Sequence, residues 1–340
     1  MTLADTLKGM VGMDPTGHAD ADMKAVLDAL ASLEPKPIED CTVEEARAQP
    51  TPADAVKKLL ADPAFSARPS PELEAVQSED ILIQGAVGSL RARVYTPQGE
   101  GPFPVILYFH GGGWVIADLD TYDATPRSIA AQSKAVVVSA HYRQAPEHPL
   151  PAAHEDAFAA WQWVLDHAES LGGDPTKLAV MGESAGGNLA INVSIRARDA
   201  GMRMPLHQAL VYPVASNNIV SVSYEENRNA KPLNKPMMLW FINQVINDKG
   251  DLTSPLIDVV SADLTSLPPT VIITAGIDPL RSDGEKLAQK LREADVAVEH
   301  RNYQGATHEF FGMAAVVQAA REAQAMVSLA QRQAFGAAPL

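Results

Sequence analysis

The sequence of 340 residues has a single cysteine and no cluster of lysine or arginine residues. One cysteine excludes an intramolecular disulfide framework, and Cys41 has no CxxC or Cys/His neighbourhood that would indicate a metal site. We expect Cys41 to be an ordinary buried or half-buried thiol. The formal net charge of -15 argues against nucleic acid and against anionic membrane surfaces as partners. A small neutral substrate suits this charge better.

Long apolar runs are also lacking. No stretch of about 18 apolar residues occurs, so membrane insertion is not expected. The first ten residues, MTLADTLKGM, lack the basic segment followed by an apolar stretch that marks a secretory signal. No group of His, Asp or Glu residues has metal-ligand spacing, so no metal is predicted. These observations predict a cytoplasmic protein.

The sequence does have ample apolar content, 46% hydrophobic residues, which is enough for a sizeable core. From residue 81 onward, short apolar runs alternate with stretches of helical periodicity, which predicts a mostly parallel sheet covered by helices on both faces. We place eight strands at residues 81–84, 90–96, 105–109, 135–142, 178–181, 208–212, 271–275 and 296–303. Helices are predicted at residues 123–133, 153–171, 185–200, 283–294 and 313–335. The first two strands should be antiparallel, because only a short link containing glycine joins them.

Two stretches depart from this alternation. Residues 1–77 contain short amphipathic helices broken by prolines, and the interval 214–269 is too long for a simple crossover and contains its own helix at about 236–247. We interpret residues 1–77 as the N-terminal part of a helical cap and residues 214–269 as a cap insertion. Residues 78–213 and 270–340 then form the main α/β domain. The two cap parts should share a core over the carboxyl ends of the strands.

The segment 182–186, Gly-Glu-Ser-Ala-Gly, lies where the predicted strand ending at Met181 passes into a helix. It fits the Gly-x-Ser-x-Gly pattern of a nucleophile elbow, in which a strained turn exposes the serine. The flanking glycines are needed because strand and helix approach closely there. Ser184 is therefore the predicted nucleophile.

A serine hydroxyl needs a histidine base and an acid that orients it, in the chain order Ser, Asp or Glu, His for this type of sheet. Three histidines follow Ser184. His207 precedes a strand and leaves little room for an acid, and His300 lies inside the last strand pattern. His308 follows that strand in the loop 305–307, so we predict that it is the base.

Asp278 follows the apolar strand 271–275 and precedes a proline, which puts it in a loop at the carboxyl end of a strand. Asp283 and Glu285 fall at the start of the next helix, where capping and interaction with the helix dipole explain them. Asp278 is the predicted acid.

The oxyanion formed in such chemistry is stabilised by backbone N–H groups, one from Ala185 and others from a loop after an earlier strand. The segment HGGGW at 110–114 follows the strand 105–109 and supplies this loop. Its glycines allow the backbone to approach a bound acyl group closely. We expect His110 to brace the loop rather than to transfer protons.

These motifs resemble those of the bacterial hormone-sensitive-lipase-like esterases of the α/β-hydrolase superfamily. The resemblance covers residues 104–313 and rests on HGGGW at 110–114, YRQAPEHPLPAA at 142–153, GESAGGNLA at 182–190, DPLRSDGE at 278–285 and HEF at 308–310. It implies an α/β-hydrolase fold with a helical cap that hydrolyses short acyl esters without a metal or cofactor. It also implies a possible homodimer through the last strand.

The resemblance assigns the triad to Ser184, Asp278 and His308, and the oxyanion N–H groups to Gly111, Gly112 and Ala185. Substrate contacts are expected from Trp114, Met237, Met238, Trp240 and Phe241. Two positions depart from the usual family pattern. Glu183 stands where Asp or Thr is usual, and Glu309 stands where Gly is usual. Both bear on the pH dependence and on the shape of the acyl pocket.

The proline-rich segment 142–153 contains Arg143, Glu147 and His148, which we interpret as structural residues that pair locally. The predicted function is a serine carboxylesterase that forms an acyl-enzyme. The same triad would serve an amidase or a lactonase. A receptor without catalytic activity on a hydrolase scaffold is a further alternative, but such a protein would be expected to lose the base or the nucleophile.

Overall fold

The computed structural model describes residues 14–63, 70–247 and 249–336. An eight-stranded sheet lies at the centre of this part of the chain. Its strands are β1 Gln77–Gln84, β2 Ser89–Thr96, β3 Phe103–Phe109, β4 Val136–Ala140, β5 Gly173–Glu183, β6 Gln208–Val211, β7 Thr270–Ile277 and β8 Val298–Thr307. Their order in the sheet is β1-β2-β4-β3-β5-β6-β7-β8. The predicted eight-stranded, mostly parallel sheet of an α/β-hydrolase is thus confirmed.

Strand β2 is antiparallel to both of its neighbours, β1 and β4, and the other neighbouring pairs are parallel. The predicted antiparallel pairing of the first two strands is confirmed. Strand β1 begins four residues earlier than predicted, because the polar residues 77–80 also pair with β2. These residues lie at the edge of the sheet and carry no apolar alternation, so hydropathy gives no sign of them.

The central strands are buried on both sides. In β3, Val105, Leu107 and Phe109 belong to one core, whereas Ile106 and Tyr108 belong to the core on the opposite face. Successive strand side chains point to opposite faces, so a continuous apolar run is what a parallel strand between two helical layers requires.

The helices are α1 Ala21–Ala31, α2 Val43–Arg47, α3 Pro52–Leu60, α4 Pro71–Glu74, α5 Ala124–Ser133, α6 Ala152–His167, α7 Ala185–Asp199, α8 Val222–Glu226, α9 Lys235–Val245, α10 Arg281–Glu293 and α11 Gln318–Ala334. Two predicted helix boundaries were wrong by several residues, and β5 begins at Gly173 and β8 ends at Thr307, five and four residues beyond their predicted bounds. Helix α6 ends at His167 and is followed by a short 3-10 turn at Glu169–Leu171. Helix α11 begins at Gln318 rather than 313, because Phe310–Met313 forms a separate 3-10 turn.

The N-terminal region divides into two parts. Helices α1 and α3 pack on each other, and they contact β8 and the turn Phe310–Met313, respectively. The turn Ile38–Asp40 contacts α9 of the interval 214–269, and the Trp240 indole N–H donates to the backbone oxygen of Cys41 at 3.2 Å. Parts of the predicted cap and main domain, residues 1–13, 64–69, 248 and 337–340, lie outside the described residues, as does the MTLADTLKGM segment.

Helix α1 supports the end of β8. The backbone N–H of Asp20 donates to the Gly305 oxygen at 2.9 Å, and the Thr307 hydroxyl lies 3.5 Å from the Met23 sulfur. Met23 is fully buried. Helix α1 and the residue before it therefore hold the end of β8, directly before His308.

We predict that Met23→Ala lowers the free energy of unfolding by about 2–5 kcal/mol, because it leaves a cavity in this core. Chemical denaturation measures the change. Leu329→Ala is the control, since Leu329 lies on helix α11 with 43% of its side chain exposed, and its effect should stay within about 0.5 kcal/mol. Equal effects of the two variants would contradict the packing described for α1.

Candidate active site

Ser184 lies in the turn between β5 and α7 with φ 56° and ψ -118°, a backbone conformation that a residue with a side chain rarely adopts. A side chain at Gly182 would collide with the Gly186 backbone, and one at Gly186 would collide with the carbonyl oxygens of Phe109 and His110. The two flanking glycines are therefore required by the close approach of helix and strand. This is the geometry that the sequence predicts for a nucleophile elbow.

Three predicted side chains meet in a chain of hydrogen bonds. The Ser184 Oγ lies 3.0 Å from Nε2 of His308, and Nδ1 of the same ring lies 2.7 Å from Oδ2 of Asp278. The other Asp278 oxygen accepts the Leu280 backbone N–H at 2.8 Å. All three side chains are buried. The carboxylate is held on both sides, so it fixes the ring with Nε2 directed at the serine.

The alternative bases and acids lie elsewhere. His207 precedes β6 at the opposite end of the sheet, and His300 bonds the Thr274 hydroxyl at 2.9 Å in the middle of β8. Asp283 accepts the backbone N–H groups of Ala215 and Ser216 at 3.1 and 3.0 Å. It braces the segment after β6 and does not contact the serine or its base. The position of Asp283 at the start of a helix does not by itself indicate this role.

The loop after β3 directs two of its carbonyl groups at the Tyr142 hydroxyl. The Tyr142 hydroxyl donates to the His110 and Gly111 oxygens at 3.0 and 3.1 Å, and the His110 Nδ1 lies 2.8 Å from the Gly111 oxygen. In a planar trans peptide, the N–H points opposite to the C=O. The N–H groups of Gly111 and Gly112 consequently point the other way, and neither bonds an acceptor among the described residues.

Ala185 is the first residue of α7, so its N–H has no acceptor within the helix. His110 is buried, and burial lowers its pKa to about 3. A neutral ring with its proton on Nδ1 suits the bond to Gly111, and its Nε2 lies 3.0 Å from the Nδ1 of His141. His110 therefore braces the loop, as the sequence predicts.

A cavity of about 320 Å³ opens over Ser184 and His308. Four of the predicted substrate contacts lie on its wall, Trp114, Met237, Met238 and Phe241. Further apolar residues of the interval 214–269, among them Leu233, Val245 and Ile257, also line it, so the cavity offers apolar contacts to a ligand.

Trp240 does not line the cavity, so its predicted substrate contact is corrected. On helix α9, Met238, Phe241 and Val245 share one face at the spacing i, i+3, i+7, whereas Trp240 lies on the other side. Its indole bonds Cys41 instead. The helix is apolar on both sides, because one side faces the cavity and the other packs on the N-terminal region.

The chain is similar to known proteins in both sequence and fold. A family model described as an α/β-hydrolase fold matches residues 106–312, more than half of the chain. The chain is 41% identical over 260 residues to esterase LipI of Mycobacterium tuberculosis, a match that covers 74% of this chain and 80% of LipI. It is 41% identical over 237 residues to carboxylesterase NlhH of the same organism, covering 68% of this chain and 74% of NlhH. The chain belongs to the hormone-sensitive-lipase-like esterases of the α/β-hydrolase superfamily.

Solved structures of esterases resemble this esterase over nearly all of its length. The Pyrobaculum calidifontis esterase superposes with a TM-score of 0.80 at 36% identity and covers 90% of this chain and 96% of its own. A thermostable esterase from Pseudomonas putida superposes with a TM-score of 0.82 at 30% identity, covering 95% and 98%. The protein is a carboxylic ester hydrolase.

Two acids of this esterase lie beside the base. Glu183 is fully buried and accepts the hydroxyls of Tyr108 and Tyr212 at 2.6 and 2.5 Å. The Tyr212 ring packs on His308 with 4.4 Å between centroids. Burial raises the pKa of Glu183 to about 7. Glu309 lies on the cavity wall, and burial raises its pKa as well. The resemblance marked both positions as departures, but sequence spacing does not identify the tyrosines that bond these acids.

The esterase also differs from prediction in the segment 142–153. Arg143 pairs locally with the buried Asp156 at 2.7 Å, as expected. Glu147 instead forms a bidentate ion pair with Arg47, 100 residues away, at 2.7 and 2.8 Å. Arg47 also donates to the Val115 oxygen at 2.9 Å, so it ties the N-terminal region to the segment following the glycine loop. The prediction that Glu147 pairs locally was therefore wrong. Its partner is distant in the sequence, so the residues around Glu147 carry no sign of it.

The described part of this esterase contains no group of three or more His, Cys, Asp or Glu side chains that could hold a metal ion. None of its described helices is long and apolar enough to cross a membrane. Cys41 is buried, and its thiol donates to the Pro37 oxygen at 3.3 Å.

Burial disfavours the charged form of His308, but the carboxylates of Asp278, Glu309 and Glu183 outweigh it and raise the pKa of the imidazole above its ordinary value. A raised pKa keeps the imidazolium present to higher pH, and an imidazolium cannot accept the serine proton.

We therefore predict that kcat/KM for a neutral ester rises with pH through a midpoint above about 6.5, the ordinary value for histidine. Glu309→Gln removes one of the charges that raise the pKa, so its midpoint should be lower than that of the wild type. Initial rates on a non-titrating substrate across pH 5–9 measure both. A wild-type midpoint at or below 6.5 would contradict the role given to these carboxylates.

Proposed function

We propose that this esterase hydrolyses short-chain acyl esters through an acyl-enzyme formed on Ser184. The hydrogen-bonded chain from Asp278 through His308 to the strained Ser184 is the observation that carries the proposal. In the first step, His308 takes the hydroxyl proton and Ser184 Oγ attacks the ester carbonyl. Asp278 orients the ring and stabilises the imidazolium that forms.

The negative charge of the tetrahedral intermediate develops on the former carbonyl oxygen. The N–H groups of Gly111, Gly112 and Ala185 would receive it, because they point away from the bonded carbonyl groups of their loop and from the body of α7. His308 then returns its proton to the alcohol oxygen, and the alcohol leaves. Water attacks the acyl-enzyme by the same route and releases the acid.

The cavity supports an apolar acyl group. Met237, Met238 and Phe241 face it from α9, and Trp114 faces it from the glycine loop. The Phe241 ring also packs so closely over Gly113 that a side chain there would collide with it. Gly113 and Phe241 line the same cavity as Ser184, so this contact limits the room for an acyl chain and favours a short one.

We predict that Ser184→Ala loses nearly all turnover and keeps its fold, because only one hydroxyl is removed. Ser194→Ala is the matched control, since Ser194 is buried on the same helix and bonds only the Ala190 oxygen. Acid release from p-nitrophenyl butyrate and labelling by a serine-directed phosphonate are measured on both. A Ser184→Ala variant with a tenth of the wild-type rate would refute the assignment.

The same assay separates the alternatives. Acetate and butyrate esters should be hydrolysed faster than palmitate, and the matching butyramide should be a poor substrate. Efficient turnover of the amide would favour an amidase, and preferred turnover of a butyrolactone would favour a lactonase. Phosphonate labelling without turnover of any ester would contradict the proposal and favour a protein that only binds its ligand.

We further infer a cytoplasmic location, and a homodimer through β8 as the resemblance implies. Strand β8 ends the order of the sheet, so one of its edges pairs with no other described strand. Such an edge is a ready site for pairing with another chain. Sedimentation equilibrium should give about twice the chain mass of 36.3 kDa. A single species of the monomer mass at micromolar concentration would refute the dimer.

A further inference from the structure

Tyr122 and Glu309 form a pair at the edge of the active site that the mechanism above does not use. The Tyr122 hydroxyl lies 2.7 Å from both carboxylate oxygens of Glu309. Glu309 directly follows the base, and Tyr122 lies in the segment that leads into α5. Both side chains reach the cavity wall, and Tyr122 is 7% exposed.

The phenol of Tyr122 also packs against the glycine loop. A side chain at Gly111 would collide with the Tyr122 hydroxyl, so the phenol occupies the space directly over the Gly111 backbone. The Tyr142 hydroxyl bonds the His110 and Gly111 oxygens of the same loop. Two tyrosine hydroxyls therefore contact the backbone at Gly111. One fixes the direction of its carbonyl, and the other limits its position.

Glu309 adopts a left-handed backbone with φ 71°, which favours glycine over a residue with a side chain. Strain of this kind is kept where the surrounding structure compensates for it, and it clusters at active sites. The bond from a phenol to a carboxylate in a largely buried site is strong, because the acceptor is charged and water competes little. The side chain at this position therefore has a contact that glycine could not supply.

We propose that Glu309 is a positioning residue that acts through the Tyr122 phenol to hold the Gly111 backbone for the reaction. The inference rests on the proposed function, in which the Gly111 N–H receives the oxyanion. Without the carboxylate, the phenol loses its only hydrogen-bond acceptor among the described residues and can turn toward the cavity. The loop then gains room to move away from the position in which its N–H groups meet the oxyanion.

The test compares Tyr122→Phe, Glu309→Gly, their double variant and Glu309→Gln on p-nitrophenyl butyrate. We expect each of the first two to lower kcat about tenfold with KM within twofold, a loss smaller than the roughly 10²-fold that a 1 Å misplacement costs. The double variant should be no slower than either single variant, because both act through one contact. Glu309→Gln keeps an acceptor oxygen and should retain most of kcat.

Binding of a butylboronic acid reports the oxyanion site directly, since its adduct with Ser184 places an oxygen there. Its affinity should fall by the same factor as kcat in Tyr122→Phe and Glu309→Gly, while the affinity for butyrate stays unchanged. Glu309→Gly also relieves the left-handed backbone, so its melting temperature should equal or exceed that of the wild type. A loss of kcat in a protein of undiminished stability separates positioning from a role in the fold.

Unchanged kcat in both single variants would overturn the inference, as would losses that multiply in the double variant. If the wild type hydrolyses no ester, or if its hydrolysis does not depend on Ser184, the proposed function itself is refuted. The two failures are therefore distinguishable within one set of proteins.

Discussion

The close approach of β5 and α7 is the constraint on which the site depends. The backbone of Gly186 lies against the carbonyl oxygens at the end of β3, and Gly182 lies against the first turn of the helix. No side chain fits at either position, so the turn between them is forced into the strained conformation of Ser184. The serine is thereby placed at the carboxyl edge of the sheet. The glycine loop after β3 and the loops after β7 and β8 begin at the same edge, because the strands from β3 to β8 that lie side by side here are parallel.

Much of this arrangement could be predicted from the sequence, because it follows from local patterns. The elbow, the glycine loop and the order of the three triad residues depend on motifs that sit at strand ends, and strands with continuous apolar runs are easy to place. Contacts between distant segments could not be predicted in this way. Helix α9 is apolar on both sides, so the sequence does not show whether Trp240 faces the cavity or the N-terminal region. The partner of Glu147 lies 100 residues away, so no local pattern reveals it. Residues 313–317 are all apolar, so periodicity placed the start of α11 at the end of the turn Phe310–Met313 rather than at Gln318.

The groups around the base differ in charge, because burial and charged partners shift their pKa values in different directions. His110 and His141 are kept neutral because burial lowers their pKa values, whereas His308 has Asp278 as a direct partner and its pKa is raised. Tyrosine hydroxyls bond the two further acids, and in their ionised forms Glu183 and Glu309 add negative potential near the ring without bonding it. The imidazolium of the proposed mechanism would form in a field that already favours it.

The contact between helix α1 and the end of β8 has a consequence for synthesis of the chain. Met23 and Thr307 are 284 positions apart, and the loop that carries His308 rests on both. A ribosome completes Ser184 and its strained turn long before it completes the base. Contacts of such sequence separation form late, after the cost of closing a long loop has been met. A nascent chain that has folded its first six strands would therefore carry the nucleophile without the histidine that activates it, and hydrolysis would begin only when the two ends of the chain have met.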